Sequence, residues 1–126
     1  MTWRDQLVEW VPEIRSPLDV NVILSSKDLL HHGYRANVIS YNLIEKMKGD
    51  IIRMSPRIII VDESHYIKTL DTSRTKALVP IIKQATHALL LTGTPALSRP
   101  AELYSQLDAL GVPIFDTFKQ FAFRFV

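Results

Sequence analysis

An acidic pair directly follows a β-branched run: Ile58-Ile59-Ile60-Val61 leads into Asp62-Glu63-Ser64-His65. Carboxylates at the end of a buried strand carry a desolvation cost unless a cation meets them. Magnesium bridging the β- and γ-phosphates of a nucleotide is such a cation, and one acid can hold it through water while the next orients or deprotonates an attacking water. Adjacent side chains on extended backbone point in different directions. Asp62 can therefore face the metal while Glu63 faces the γ-phosphate. His65 then stands where it can bond a neighbouring loop and report the nucleotide state. Further along, Ala88-Leu89-Leu90-Leu91 runs into Thr92-Gly93-Thr94-Pro95. Gly93 permits close backbone approach, Pro95 holds Thr94 extended, and the hydroxyls of Thr92 and Thr94 flank the bend. Taken alone, this second stretch is an ordinary tight turn. A third, weaker candidate is Ser40-Tyr41-Asn42, a hydroxyl and a phenol suited to a phosphate backbone and equally suited to packing and helix capping.

Such residues need strands to deliver them. Trp3, Leu7, Trp10 and Ile14 recur at helical spacing, with Pro12 ending that helix near Val11. Both tryptophans read as core. Val20–Leu24 and Ala36–Tyr41 read as strands, and the polar stretch between them fits no single class. Leu43, Ile44, Met47 and Ile51 mark a helix with Asn42 as its cap. The Ile58–Val61 run suits a central parallel strand covered on both faces. Asp71, Thr72 and Ser73 resemble cap residues before a helix through Ala77, Leu78, Ile81 and Ile82. Pro80 falls inside it and is expected to kink rather than break it. His87 reads as a turn residue before an Ala88–Leu91 strand. Leu103, Leu107 and Leu110 give a helix stopped by Gly111 and Pro113, and Phe115 to Phe125 give a last one. The order α-β-β-α-β-α-β-α-α predicts an α/β fold, a parallel sheet with helical crossovers. Ligands in such sheets bind beyond the carboxyl ends of the strands, where the three candidate stretches stand.

Composition limits the alternatives. The chain has 126 residues, 47% of them apolar and 22% charged, which is globular rather than disordered. No apolar stretch approaches the ~18 uncharged residues of a membrane span, so no membrane partner is expected. With no cysteine, a disulfide scaffold and a thiolate zinc site are excluded, and a reducing compartment fits. Fifteen Lys+Arg against thirteen Asp+Glu leave +2, which permits nucleic-acid contact without arguing for it. His31-His32 lacks further ligands nearby and reads as an exposed loop pair. Arg53, Arg57, Lys68, Arg74 and Lys76 read as scattered solvated charge.

The combination of Asp62-Glu63-Ser64-His65 with Leu91-Thr92-Gly93-Thr94-Pro95 resembles motifs II and III of the SWI/SNF-type helicase-like ATPases. The fuller stretches Asp62 to Lys68 and Gly93 to Tyr104 resemble the annealing-helicase branch, which acts at stalled replication forks. The likeness extends over nearly the whole chain, and Val38-Ile39-Ser40-Tyr41 is similar to motif Ib. It implies a partial RecA-like sheet flanked by helices, with residues 1–126 forming the C-terminal part of the first ATPase lobe. The implied cofactors are ATP and Mg²⁺. Asp62 would hold Mg²⁺ through water, Glu63 would serve the water, and His65 would complete the nucleotide site. Thr92, Gly93 and Thr94 would couple nucleotide state to DNA grip. Ser40 and Tyr41 would contact DNA, a fork or junction. The helix bearing Glu102 and Leu103 would be a structural signature behind motif III. A nuclear location is implied as well. The chain contains no Gly-x-x-x-x-Gly-Lys-Ser/Thr, so the phosphate-loop lysine, like the second lobe with its arginine finger, is expected from other polypeptide. The 126 residues alone are expected to be inactive. Two other readings stay open: a non-catalytic α/β module binding DNA or protein, and a receiver-like domain in which Asp62 accepts phosphate.

Overall fold

The structure, a computed structural model, describes residues 2–95, 99–112 and 117–126. The chain forms two compact units, Met1–Met54 and Ser55–Val126.

In the first unit, helix α1 spans Trp3–Trp10. Thr2 caps it, and Asp5 reciprocates by accepting from the Thr2 backbone N–H, so two orphan amides are satisfied at once. The helix ends at Val11, as Pro12 predicts. It buries no residue fully: Trp10 is 71% exposed and Trp3 and Leu7 are half-buried, so the tryptophans are not core residues, while Ile14, beyond the helix end, is buried as the stripe predicts. A short 3-10 turn, Pro17–Asp19, leads into β1 (Val20–Ile23), which pairs in parallel with β2 (Ala36–Ile39). Asn21 and Asn37 are register partners, and the Asn21 amide donates to Asn37 Oδ1 at 2.8 Å and to the Leu29 carbonyl at 2.9 Å. This organises the connection that periodicity left unassigned. Asp28 does the rest by accepting from the Leu24 and Ser25 amides, both at 2.8 Å. Parallel strands need a long crossover, and here side chains replace the usual helix. Helix α2 then runs Tyr41–Met54 and buries Ile44, Met47 and Ile51. Its start corrects two expectations: Tyr41 is helical rather than part of the strand, and Asn42 lies within the first turn rather than capping it.

In the second unit, β3 (Ile58–Val61) pairs in parallel with β4 (His87–Leu90) across helix α3 (Ser73–Gln84). This is a βαβ unit. Ser55 and Glu63, both at positive φ, bracket β3. Thr72 caps α3 by accepting from the Thr75 amide, and the helix continues unbroken through Pro80. Thr75, Ala77, Leu78, Ile81 and Ile82 are buried. A 3-10 turn, Pro100–Leu103, leads into α4 (Tyr104–Ala109), and Gly111, at φ +65°, stops it. Helix α5 spans Phe118–Phe125; its Phe121 is buried against the Tyr104 ring, while Phe123 is almost fully exposed. Pro113 and Phe115 lie outside the described residues.

Type and order of the elements match expectation, but the sheet does not. Instead of one sheet with a covered central strand, each unit holds a two-stranded parallel sheet. Ile58 is 64% and Ile60 44% exposed on β3, and their neighbour Leu89 on β4 is 50% exposed. Among the described residues, one face of β3–β4 thus carries half-exposed to exposed apolar side chains. His87 is the first residue of β4, paired with Ile58, not a turn residue.

Two outcomes follow from this packing. Ile67 is fully buried, so Ile67→Ala should cost roughly 2–5 kcal/mol in chemical denaturation followed by circular dichroism, whereas Phe123→Ala should shift stability by less than about 0.5 kcal/mol. The Ser25 amide first, then the Leu24 amide, hold the Asp28 carboxyl below the usual aspartate range. Its contribution is thus complete above the unfolded-chain value and is lost as pH falls through the lower folded value. The Leu24 and Ser25 amide resonances should titrate together below the pH at which a free aspartate titrates; titration at or above that pH would contradict the bonds.

Candidate functional site

Backbone pairing brings two of the predicted stretches together. The Leu91 amide donates to the Val61 carbonyl at 2.9 Å, and the Ser64 amide donates back to the Leu91 carbonyl at 2.8 Å. Pairing thus reaches Leu91, one residue past β4, and Ser64, three residues past β3, and the loops leaving Val61 and Leu91 start side by side. Asp62 and Glu63 are exposed there. Asp62 Oδ1 accepts from the Glu63 amide at 2.9 Å. Glu63 takes the left-handed conformation, φ 48° and ψ 48°, which is uncommon for a side-chain-bearing residue and is found preferentially at functional positions. That single reversal turns the chain from the strand into a 3-10 turn, Ser64–Ile67.

His65 is the junction of the site. Its Nδ1 lies 3.0 Å from Thr92 Oγ1, 3.4 Å from Thr94 Oγ1 and 3.2 Å from Glu63 Oε2. With the proton on Nδ1, all three oxygens act as acceptors of one shared hydrogen. The opposite tautomer would set a ring lone pair against the Glu63 carboxylate. The Thr94 amide donates to Thr92 Oγ1 at 3.1 Å, closing the bend on itself. A Cβ added at Gly93 would meet no heavy atom within 4 Å, so packing among the described residues does not demand glycine there.

Beneath these exposed groups lies a buried polar layer that hydropathy does not reveal. Ser64 Oγ donates to Gln106 Oε1 at 2.7 Å, and Gln106 Nε2 donates to the Pro95 carbonyl at 2.7 Å. Ser105 Oγ donates to the Ile67 carbonyl. Ser64 and Ser105 are fully buried. Among the described residues no buried side-chain nitrogen or oxygen lacks a partner. Lys68 Nζ lies 3.7 Å from Glu102 Oε1, which gives the expected role of Glu102 a contact. The Arg74 guanidinium sits 5.2 Å from the Tyr66 ring centroid, and Lys76 pairs with Asp71 at 3.3 Å, so these cations serve local contacts. Ser105 and Gln106 were missed because the leucine stripe dominates that helix; the available signal was two adjacent polar residues at the step that also carries Tyr104 and Ala109.

Ser40 and Tyr41 stand in the first unit, at the end of β2 and the start of α2, with Ser40 exposed. A cavity of about 260 Å³ in that unit, lined by Asp28, His32, Asp50 and Arg53 among others, contains none of the predicted site residues. Among the described residues no three His, Cys, Asp or Glu side chains gather as a metal cage. A magnesium site relies on one or two carboxylates, water and substrate phosphates; Asp62 and Glu63 would supply oxygen donors of that kind. No described helix is long and apolar enough to cross a membrane.

The SNF2-related domain family matches residues 1–126. A SWI/SNF-related matrix-associated actin-dependent regulator of chromatin subfamily A-like protein 1 from Bos taurus is 39% identical over 124 residues, 98% of this chain and 13% of the relative. The Xenopus tropicalis protein of that name is 41% identical over 124 residues, again 98% of this chain and 13% of the relative. The DNA annealing helicase and endonuclease ZRANB3 of Mus musculus is 38% identical over 128 residues, 98% of this chain and 12% of the relative. The chain thus spans about an eighth of the length of these relatives. With the family match running from its first residue to its last, the chain belongs to the SNF2-related domain family.

Proposed function

We propose that this chain forms the magnesium- and water-handling part of a RecA-like ATPase lobe in a DNA translocase of the annealing-helicase kind. In this reading ATP hydrolysis drives the rewinding of forked or junction DNA. The observation that carries it is the meeting of Glu63, His65, Thr92 and Thr94 around one imidazole nitrogen. The same stretches resemble motifs II and III, and relatives 36–38% identical to this chain are named as DNA annealing helicases. A nuclear location belongs to the same reading, since other relatives are named as regulators of chromatin.

Asp62 would hold Mg²⁺ through water. When bound, the metal supplies charge neutralisation at the β- and γ-phosphate oxygens. Glu63 orients the attacking water and accepts its proton on a carboxylate oxygen. His65 meets Glu63 and the two threonines at one atom, Nδ1, so a change at the water site reaches the Thr92–Thr94 bend through that nitrogen. Gly93 leaves the face of that bend free of a side chain. Ser40 and Tyr41, at a strand end and a helix start, offer hydroxyls to a DNA backbone. The phosphate-loop lysine and the arginine finger come from polypeptide outside these 126 residues, and the chain by itself does not turn over ATP.

In the intact protein, Glu63→Gln should lower DNA-stimulated ATP turnover by about 10²-fold or more while nucleotide binding, read by fluorescent-analogue titration, stays close to wild type. Turnover near the wild-type rate would overturn the role of Glu63. DNA affinity measured across salt concentrations should fall steeply and linearly on logarithmic axes. A flat response would remove DNA-backbone contact from the reading.

A further inference from the structure

We infer that Gln106 is a positioning residue for ATP turnover, acting as a two-ended amide clamp between the Asp62–His65 loop and the Thr92–Pro95 loop. The inference rests on the reading of Asp62 and Glu63 as the nucleotide site. It adds a residue from α4 that touches neither nucleotide nor water.

The geometry leaves little freedom. Gln106 is 6% exposed and its amide ends are used separately. Oε1 accepts from Ser64 Oγ and Nε2 donates to the Pro95 carbonyl, each at 2.7 Å. The amide orientation is forced. Flipped, it would press one carbonyl oxygen against another at Pro95, whereas the Ser64 hydroxyl could adapt to either end. Ser64 directly follows Glu63, and Pro95 directly follows Thr94. Glu63 and Thr94, two of the three residues that meet His65 Nδ1, are therefore each next in sequence to a residue that Gln106 anchors. Ser64 is fixed a second time by its amide bond to the Leu91 carbonyl. Pro95 lacks an N–H, so its carbonyl is the backbone group through which α4 can hold it.

Neighbouring contacts make α4 a rigid support. Ser105 holds the Ile67 carbonyl, and Lys83 Nζ pairs with Asp108 Oδ1 at 2.8 Å. Glutamine is the fitting residue at position 106 because the two loops present opposite needs, a hydroxyl proton and a carbonyl lone pair. Leucine would leave both unpaired in a buried place. Glutamate would keep the first bond and set two acceptors together at the second.

The test uses the intact protein carrying Gln106→Leu, Ser64→Ala, the double variant and Gln106→Glu, with steady-state ATPase at saturating DNA. Gln106→Leu should lower kcat about tenfold, as expected of a misplaced catalytic group, with KM for ATP within about twofold. Gln106→Glu should fall in the same direction. In the double-mutant cycle, the double variant should be no slower than the slower single one, because both changes cut the same clamp. An unchanged kcat in Gln106→Leu, or effects of the two single changes that multiply in the double, would overturn the inference. Should Gln106→Leu fail to fold, Ser64→Ala and Gln106→Glu decide it by the same criterion. Glu63→Gln run alongside separates the two ideas. An active Glu63→Gln refutes the nucleotide reading itself; an inactive one beside a fully active Gln106→Leu refutes only the clamp.

Discussion

Two hydrogen bonds set the geometry on which the site depends: Leu91 amide to Val61 carbonyl, and Ser64 amide to Leu91 carbonyl. Parallel strands cannot be joined by a tight turn, so adjacency of their carboxyl ends has to come from the ladder and from the crossover between them. Here β3 and β4 are in register from Ile58↔His87 to Val61↔Leu90. That register puts the acidic loop and the threonine bend next to each other although a whole helix separates them in sequence. A slip by one residue would turn alternate side chains to the other face and carry Thr92 away from His65.

Polar interior chemistry then converts adjacency into fixed spacing. Ser64, Ser105 and Gln106 are buried, and each would be unfavourable there without a partner. Because all three are partnered, the layer fixes positions more sharply than apolar contacts, which tolerate sliding. The groups above it, exposed Asp62, Glu63 and Thr94 and half-buried Thr92, are short extensions from anchored backbone.

Periodicity and strand chemistry made much of this visible in the sequence. The β-branched run of β3, the capped helix starting at Ser73 and the two motif loops were all legible, since each depends on local spacing. What escaped depends on tertiary surroundings. Trp3 and Trp10 form a good helical stripe, yet α1 buries no residue fully; a stripe shows which face is apolar, not whether something covers it. Asn42 is a favoured cap residue, but the chain turns helical one residue earlier. Around α4 the stripe of Leu103, Leu107 and Leu110 is not the buried set: Leu103 and Leu107 are half-buried and Leu110 is exposed, while Tyr104, Ser105, Gln106 and Ala109 are buried. Hydropathy cannot anticipate a helix that turns its hydrogen-bonding side inward, because the loops it holds are far away in sequence.

The backbone at Glu63 carries a consequence for which residues evolution or an engineer can place there. A left-handed conformation disfavours any residue with a Cβ by roughly 1–2 kcal/mol and most strongly those branched at that carbon. Glycine would relax the chain while deleting the carboxylate, so a loss of chemistry at this position would come with a gain in fold stability. Valine, isoleucine and threonine would add steric conflict to the loss of the acid. Under the proposed role of Glu63, the need for a carboxylate and the preference of this backbone for glycine pull in opposite directions at one position.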